Sequence, residues 1–77
     1  MQILETVADD LARKTLDVVA RTGDDDIETR MSETLGASST TLQEAFLTAL
    51  RIRKAERRGR ALLLEALKRV PKTKGDS

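Results

Sequence analysis

Between Met31 and Phe46 the chain reads Met-Ser-Glu-Thr-Leu-Gly-Ala-Ser-Ser-Thr-Thr-Leu-Gln-Glu-Ala-Phe, and that order leaves few folds open. A short helical segment meets a glycine, a row of hydroxyl-bearing residues comes next, and a second helical segment begins. Gly36 is expected to end the first helix by entering the left-handed conformation, which glycine reaches without steric cost. Ser38, Ser39, Thr40 and Thr41 each offer an amino-terminal cap, and Thr40 with Gln43 or Thr41 with Glu44 fits the capping-box spacing. The product is a corner between two helices, the order in which a helix-turn-helix is written. A positive φ at Gly36 predicts that Gly36→Val destabilises the domain by more than about 1 kcal/mol.

The flanking segments are also helical in period. Leu4, Val7, Leu11, Thr15 and Val18 recur at three- and four-residue steps, widened by Ile3, Ala8 and Val19, while Asp9, Asp10, Arg13, Lys14 and Asp17 fall on the other side. Gly23 is placed to cap this first helix. In Asp24-Asp25-Asp26, adjacent carboxylates do not follow the alternate spacing of a calcium loop, so one Asp is expected to cap the next helix. Ile27, Met31 and Leu35 mark that helix's inner side. After the corner, Leu42, Ala45, Phe46, Ala49 and Leu50 continue the apolar pattern. Leu62, Leu63, Ala66, Leu67 and Val70 form a further apolar face, with Leu64 off the main stripe as a hint of a second contact. Gly59 either breaks the helix or sits inside one long helix at a cost of about 1 kcal/mol relative to alanine. The expected fold is therefore an all-α domain of three to four helices, near 3–21, 26–35, 40–58 and 60–70, the last two separate or continuous. Residues 1–70 form the domain, and 71–77, starting at Pro71, form a disordered basic tail.

Composition removes whole classes of chemistry. Seventy-seven residues sit near the lower limit for a self-sufficient core, so dimerisation is expected. With no Cys and no His, neither a thiolate site nor an imidazole general base exists, and zinc loses its usual ligands. The chain is accordingly read as a non-enzyme without cofactor, metal or small-molecule substrate. Phe46 is the single aromatic residue, which argues against stacking on unpaired bases. No apolar run is long enough for a bilayer, and the first residues lack the pattern of a signal peptide, so a cytoplasmic protein with no membrane partner is expected.

Charge is strongly segregated. Residues 1–50 carry four basic against ten acidic side chains, a net of −6, whereas residues 51–77 carry ten against three, a net of +7. The basic end suits either a polyanion or the acidic half of a second copy.

On the string Leu35-Gly36-Ala37-Ser38-Ser39-Thr40-Thr41-Leu42-Gln43-Glu44-Ala45-Phe46, the chain resembles the DNA-binding segment of bacterial GntR-type helix-turn-helix repressors. The resemblance covers residues 31–46 only. Beyond Phe46 the chain reads as helix, where that family carries the paired strands of a wing. The resemblance implies that the third helix reads double-stranded DNA, with Ser38, Ser39, Thr40, Gln43 and Thr48 facing base edges or phosphates. Arg51, Arg53, Lys54, Arg57, Arg58 and Arg60 would then flank the site as phosphate contacts. The resulting expectation is a small transcriptional regulator, homodimeric through its first and last helices. The competing expectation is a helical protein-interaction or dimerisation module that binds no nucleic acid and uses its acidic and basic halves as complementary faces.

Overall fold

Three helices succeed one another through the computed structural model, which describes residues 2–69: α1 (Ile3–Thr22), α2 (Asp26–Ser38) and α3 (Thr40–Lys68). No strand occurs among the described residues, so the all-α class holds. The end of the last helix at Val70 and the tail 71–77 lie outside them.

Local chemistry explains the first junction. Gly23 adopts φ 75°, and its N–H donates to the Val19 carbonyl at 2.7 Å, closing α1 as the sequence suggests. The Asp24 carboxylate then accepts from the Asp26 N–H at 3.0 Å. The N-cap residue itself, Asp25, makes no side-chain capping bond, so the acidic run starts α2 through this turn at Asp24 and not through the expected N-cap.

The second junction departs from expectation. Gly36 is not the turn. It lies inside α2, which runs on to Ser38, and among the described residues only Gly23 has a positive φ. The direction changes at one residue, Ser39, extended at φ −158° and ψ 107°. Its N–H donates to the Leu35 carbonyl at 2.8 Å, and its Oγ accepts from the Leu42 N–H at 3.1 Å. One serine thus ends α2 and caps α3, and neither expected capping box, Thr40 with Gln43 or Thr41 with Glu44, is needed.

Gly36 is required for a different reason. A Cβ there would stand 2.6 Å from Gln43 Nε2 and 2.7 Å from its Cδ. The glycine lets the Gln43 side chain pass between α2 and α3. Its Nε2 donates to the Ser32 carbonyl at 3.0 Å and to Ser32 Oγ at 3.2 Å.

Lys54 reaches Glu28 at 2.6 Å, so two contact points four residues apart on α2 meet points eleven apart on α3. These are axial distances of about 6 and 16 Å, which long side chains span.

The core is small. Ala12, Leu16, Phe46 and Leu50 form its buried cluster, with Leu11, Met31, Leu35, Leu47 and Ala49 packed around it. Phe46, fully buried, is its largest member. On α1 the buried row is Ala8, Ala12, Thr15 and Leu16, not the line through Val7 and Val18, which are 41% and 40% exposed. Two alanines one turn apart let α3 come close on that side, and Asp9 turns with them toward α3, although its period placed it outward. Thr15 is buried without penalty, since its Oγ1 donates to the Leu11 carbonyl at 2.7 Å.

Gly59 causes no break. α3 is continuous over 29 residues, about 43 Å. Glu56–Arg60 at 2.8 Å and Glu65–Arg69 at 3.3 Å brace it, each with the acid one turn before the base, the favourable order on a helix. Its first four turns pack on α1 and α2. From Arg57 to Arg69 every residue is exposed.

Candidate interaction surfaces

The residues that sequence reasoning assigned to one DNA-facing surface separate into three groups. The first is turned inward. Ser39 is occupied as the α3 cap and Gln43 by Ser32. Neither side chain is presented at the surface in the way a base-reading residue requires.

The second group holds the helices together. Arg53 grips Asp9 with two parallel bonds, Nε to Oδ1 at 2.7 Å and Nη2 to Oδ2 at 2.6 Å, and its Nη1 donates to Glu56 Oε1 at 3.0 Å. The hydrogen bonds from Arg53 hold the Asp9 carboxyl below the usual range and raise the guanidinium's own value. Glu56 is lowered in turn by its hydrogen bonds from Arg60 and Arg53. Lys54 ties α3 to Glu28 of α2, and Arg57 lies 3.7 Å from Asp17 of α1. Of the basic residues expected beside the DNA backbone, Arg53, Lys54, Arg57 and Arg60 are already paired with carboxylates of this chain; Arg51 and Arg58 are the exceptions. The relevant acids, Asp9, Asp17, Glu28 and Glu56, were visible in sequence only as the opposite charge of the two halves. That asymmetry admitted a polyanion or a second copy; part of it is spent within one molecule.

The third group is open. Ser38, Thr40 and Thr48 are exposed, as are Arg51 and Arg58, for which no carboxylate lies within ion-pairing distance among the described residues. Arg51 and Arg58 are seven residues apart and so share one side of α3.

Two apolar features were only partly legible in the sequence. The first is the protruding half of α3, where Leu62, Leu63, Leu64 and Leu67 are 69%, 66%, 59% and 68% exposed. The expected face exists, but nothing among the described residues covers it. The second is a groove of about 470 Å³ between α1 and α3. Leu4, Ala8, Ala45, Ala49 and Ile52 form its apolar floor, and Glu5 and Glu44 stand at its rim beside Thr41 and Thr48. Ile52 is 62% exposed at its end. Ala45, Ala49 and Ile52 are spaced along one helix side, which was the available signal; the contribution of α1 depended on how that helix rolled.

Among the described residues no group of three His, Cys, Asp or Glu is arranged to hold a metal ion, and no helix is long and apolar enough to cross a membrane. No known family, characterised protein or solved structure matches this chain.

Proposed function

We propose that this chain is a non-catalytic helical interaction module that docks protein through the leucine-bearing half of α3. The observation carrying this reading is the set of four leucines, each more than half exposed, on a stretch of helix that no other described element supports. Clustered apolar surface of this kind marks an interaction site in a folded protein. A helical segment of some thirteen residues is also marginal in water by itself, so a partner would stabilise its conformation as well as cover its leucines. The absence of His and Cys leaves little for acid–base or nucleophilic chemistry.

A photoreactive amino acid placed at Leu63 tests the reading, with Thr40 as an exposed control. The expected result, in the protein's own host cells, is a protein adduct of discrete mass from position 63 and none from position 40. Absence of any adduct from position 63 overturns it.

A second reading keeps the helix-turn-helix. Exposed Ser38 and Thr40 beside the Ser39 corner, with Arg51 and Arg58 along the same helix, support a contact with duplex DNA, although the single-residue corner is shorter than the three- to four-residue turn of that motif. Under that reading random duplex binds at low salt and weakens steeply as salt rises, and Arg51→Glu with Arg58→Glu abolishes binding. Unchanged binding in that double variant, or no binding by the parent protein, removes it.

A further inference from the structure

We infer that the groove between α1 and α3 receives the leucine-bearing half of α3 from a second copy of this chain, the two α3 helices lying antiparallel. The inference rests on the reading that this half of α3 docks protein, and it names the occupant.

The first support is register. Ala45, Ala49, Ile52, Glu56, Gly59, Leu63 and Ala66 recur at alternating four- and three-residue steps, so they share one side of α3. The groove floor and Leu63, with Leu67 one turn on, therefore face the same way, and Leu62 and Leu64 flank them. Reversed, this row maps onto itself. Ala49 meets Ala66 of the other copy, Ile52 meets Leu63, and Glu56 meets Gly59. Gly59 has no role within one molecule, since a Cβ there would find nothing within 4 Å, and a mid-helix glycine weakens the helix. Facing Glu56 of a second copy, it leaves room for that carboxylate and the two arginines that hold it.

Charge bears on the direction of the pairing. Glu5 and Glu44 at the groove rim, and Arg58 and Lys68 on the protruding half, have no ion-pair partner among the described residues. Arg58 and Lys68 each lie five residues from Leu63, about 140° around α3 from it, and so stay on the outer side of the seated helix. A parallel arrangement would stack the two basic halves on each other and leave both grooves empty.

The area is sufficient. Ile52 and the four leucines are 59–69% exposed. Together they present roughly 550 Å² per copy, so two copies approach the lower end of a standard interface of about 1,200 Å² before the groove walls are counted. The leucines spread too widely around α3 for a narrow two-stranded seam, as expected of a helix received between two others.

The test uses sedimentation and introduced thiols, which are unambiguous because the chain has no cysteine of its own. The full chain is expected to sediment as a dimer at micromolar concentration. Leu63→Glu and Ile52→Glu should each weaken the dimer on the order of tenfold or more while the helical spectrum is kept, since neither residue is in the core. Mixing Ile52→Cys with Leu63→Cys protein under mild oxidation should give 52-to-63 cross-links in excess over 63-to-63. A monomer at all concentrations, or predominance of the 63-to-63 product, overturns the inference. A monomer that still yields adducts with a different protein from position 63 removes the second copy and leaves the interaction module standing.

Discussion

Gly36 and Gln43 allow a sign reversal to be worked out from the structure. Gly36 occupies an ordinary helical position in α2, so alanine there should gain about 1 kcal/mol from propensity alone. The added Cβ, however, would stand 2.6–2.9 Å from three atoms of the Gln43 amide, which must leave. Leaving breaks two hydrogen bonds to Ser32, each worth about 1 kcal/mol net. Gly36→Ala alone should therefore cost about 1 kcal/mol, a fall in Tm of roughly 4–8 °C for a domain of this size. With Gln43→Ala already in place the bonds are gone and only the propensity gain remains. The same Gly36→Ala change should then stabilise by about 1 kcal/mol, giving a coupling of about 2 kcal/mol. Thermal and urea unfolding of the four proteins, followed by helical circular dichroism at one fixed concentration, measures this. Equal stabilisation by Gly36→Ala in both backgrounds would refute the argument that the glycine is kept for the glutamine.

Two other perturbations probe the remaining contacts. Ser39→Ala should cost about 1 kcal/mol in urea unfolding with an unchanged slope, while Thr40→Ala and Thr41→Ala stay within a few tenths, because the cap belongs to Ser39. Equal losses at all three positions would reassign the cap. Asp9 and Glu56 both have lowered values in the folded protein, so their contribution is complete above the unfolded carboxyl range near pH 4 and is lost as pH falls through the folded values. Tm should be level from about pH 8 to 5 and drop below about pH 4. Arg53→Gln should lower Tm at neutral pH and flatten that acid limb; an identical limb in the variant would show that the Asp9 pair contributes nothing.

Local chemistry was readable wherever neighbours in sequence decide the outcome. The helical class, the Gly23 terminus, the acid that starts α2, and a serine-rich start to α3 stem from backbone preferences that act over a few residues. The leucine face of α3 was likewise visible in its spacing. Tertiary contacts decided the rest. Gly36 carries the same letter whether it turns the chain or makes room for an amide. Only the position of Gln43 beneath it distinguishes the two. The roll of α1 was set by which side gave α3 the closest approach. That roll brought Asp9 to Arg53 and Asp17 to Arg57, converting part of an apparent polyanion-binding surface into internal ties. Periodicity reports which residues share a side of a helix. It does not report what that side meets, because the answer depends on residues far away along the chain.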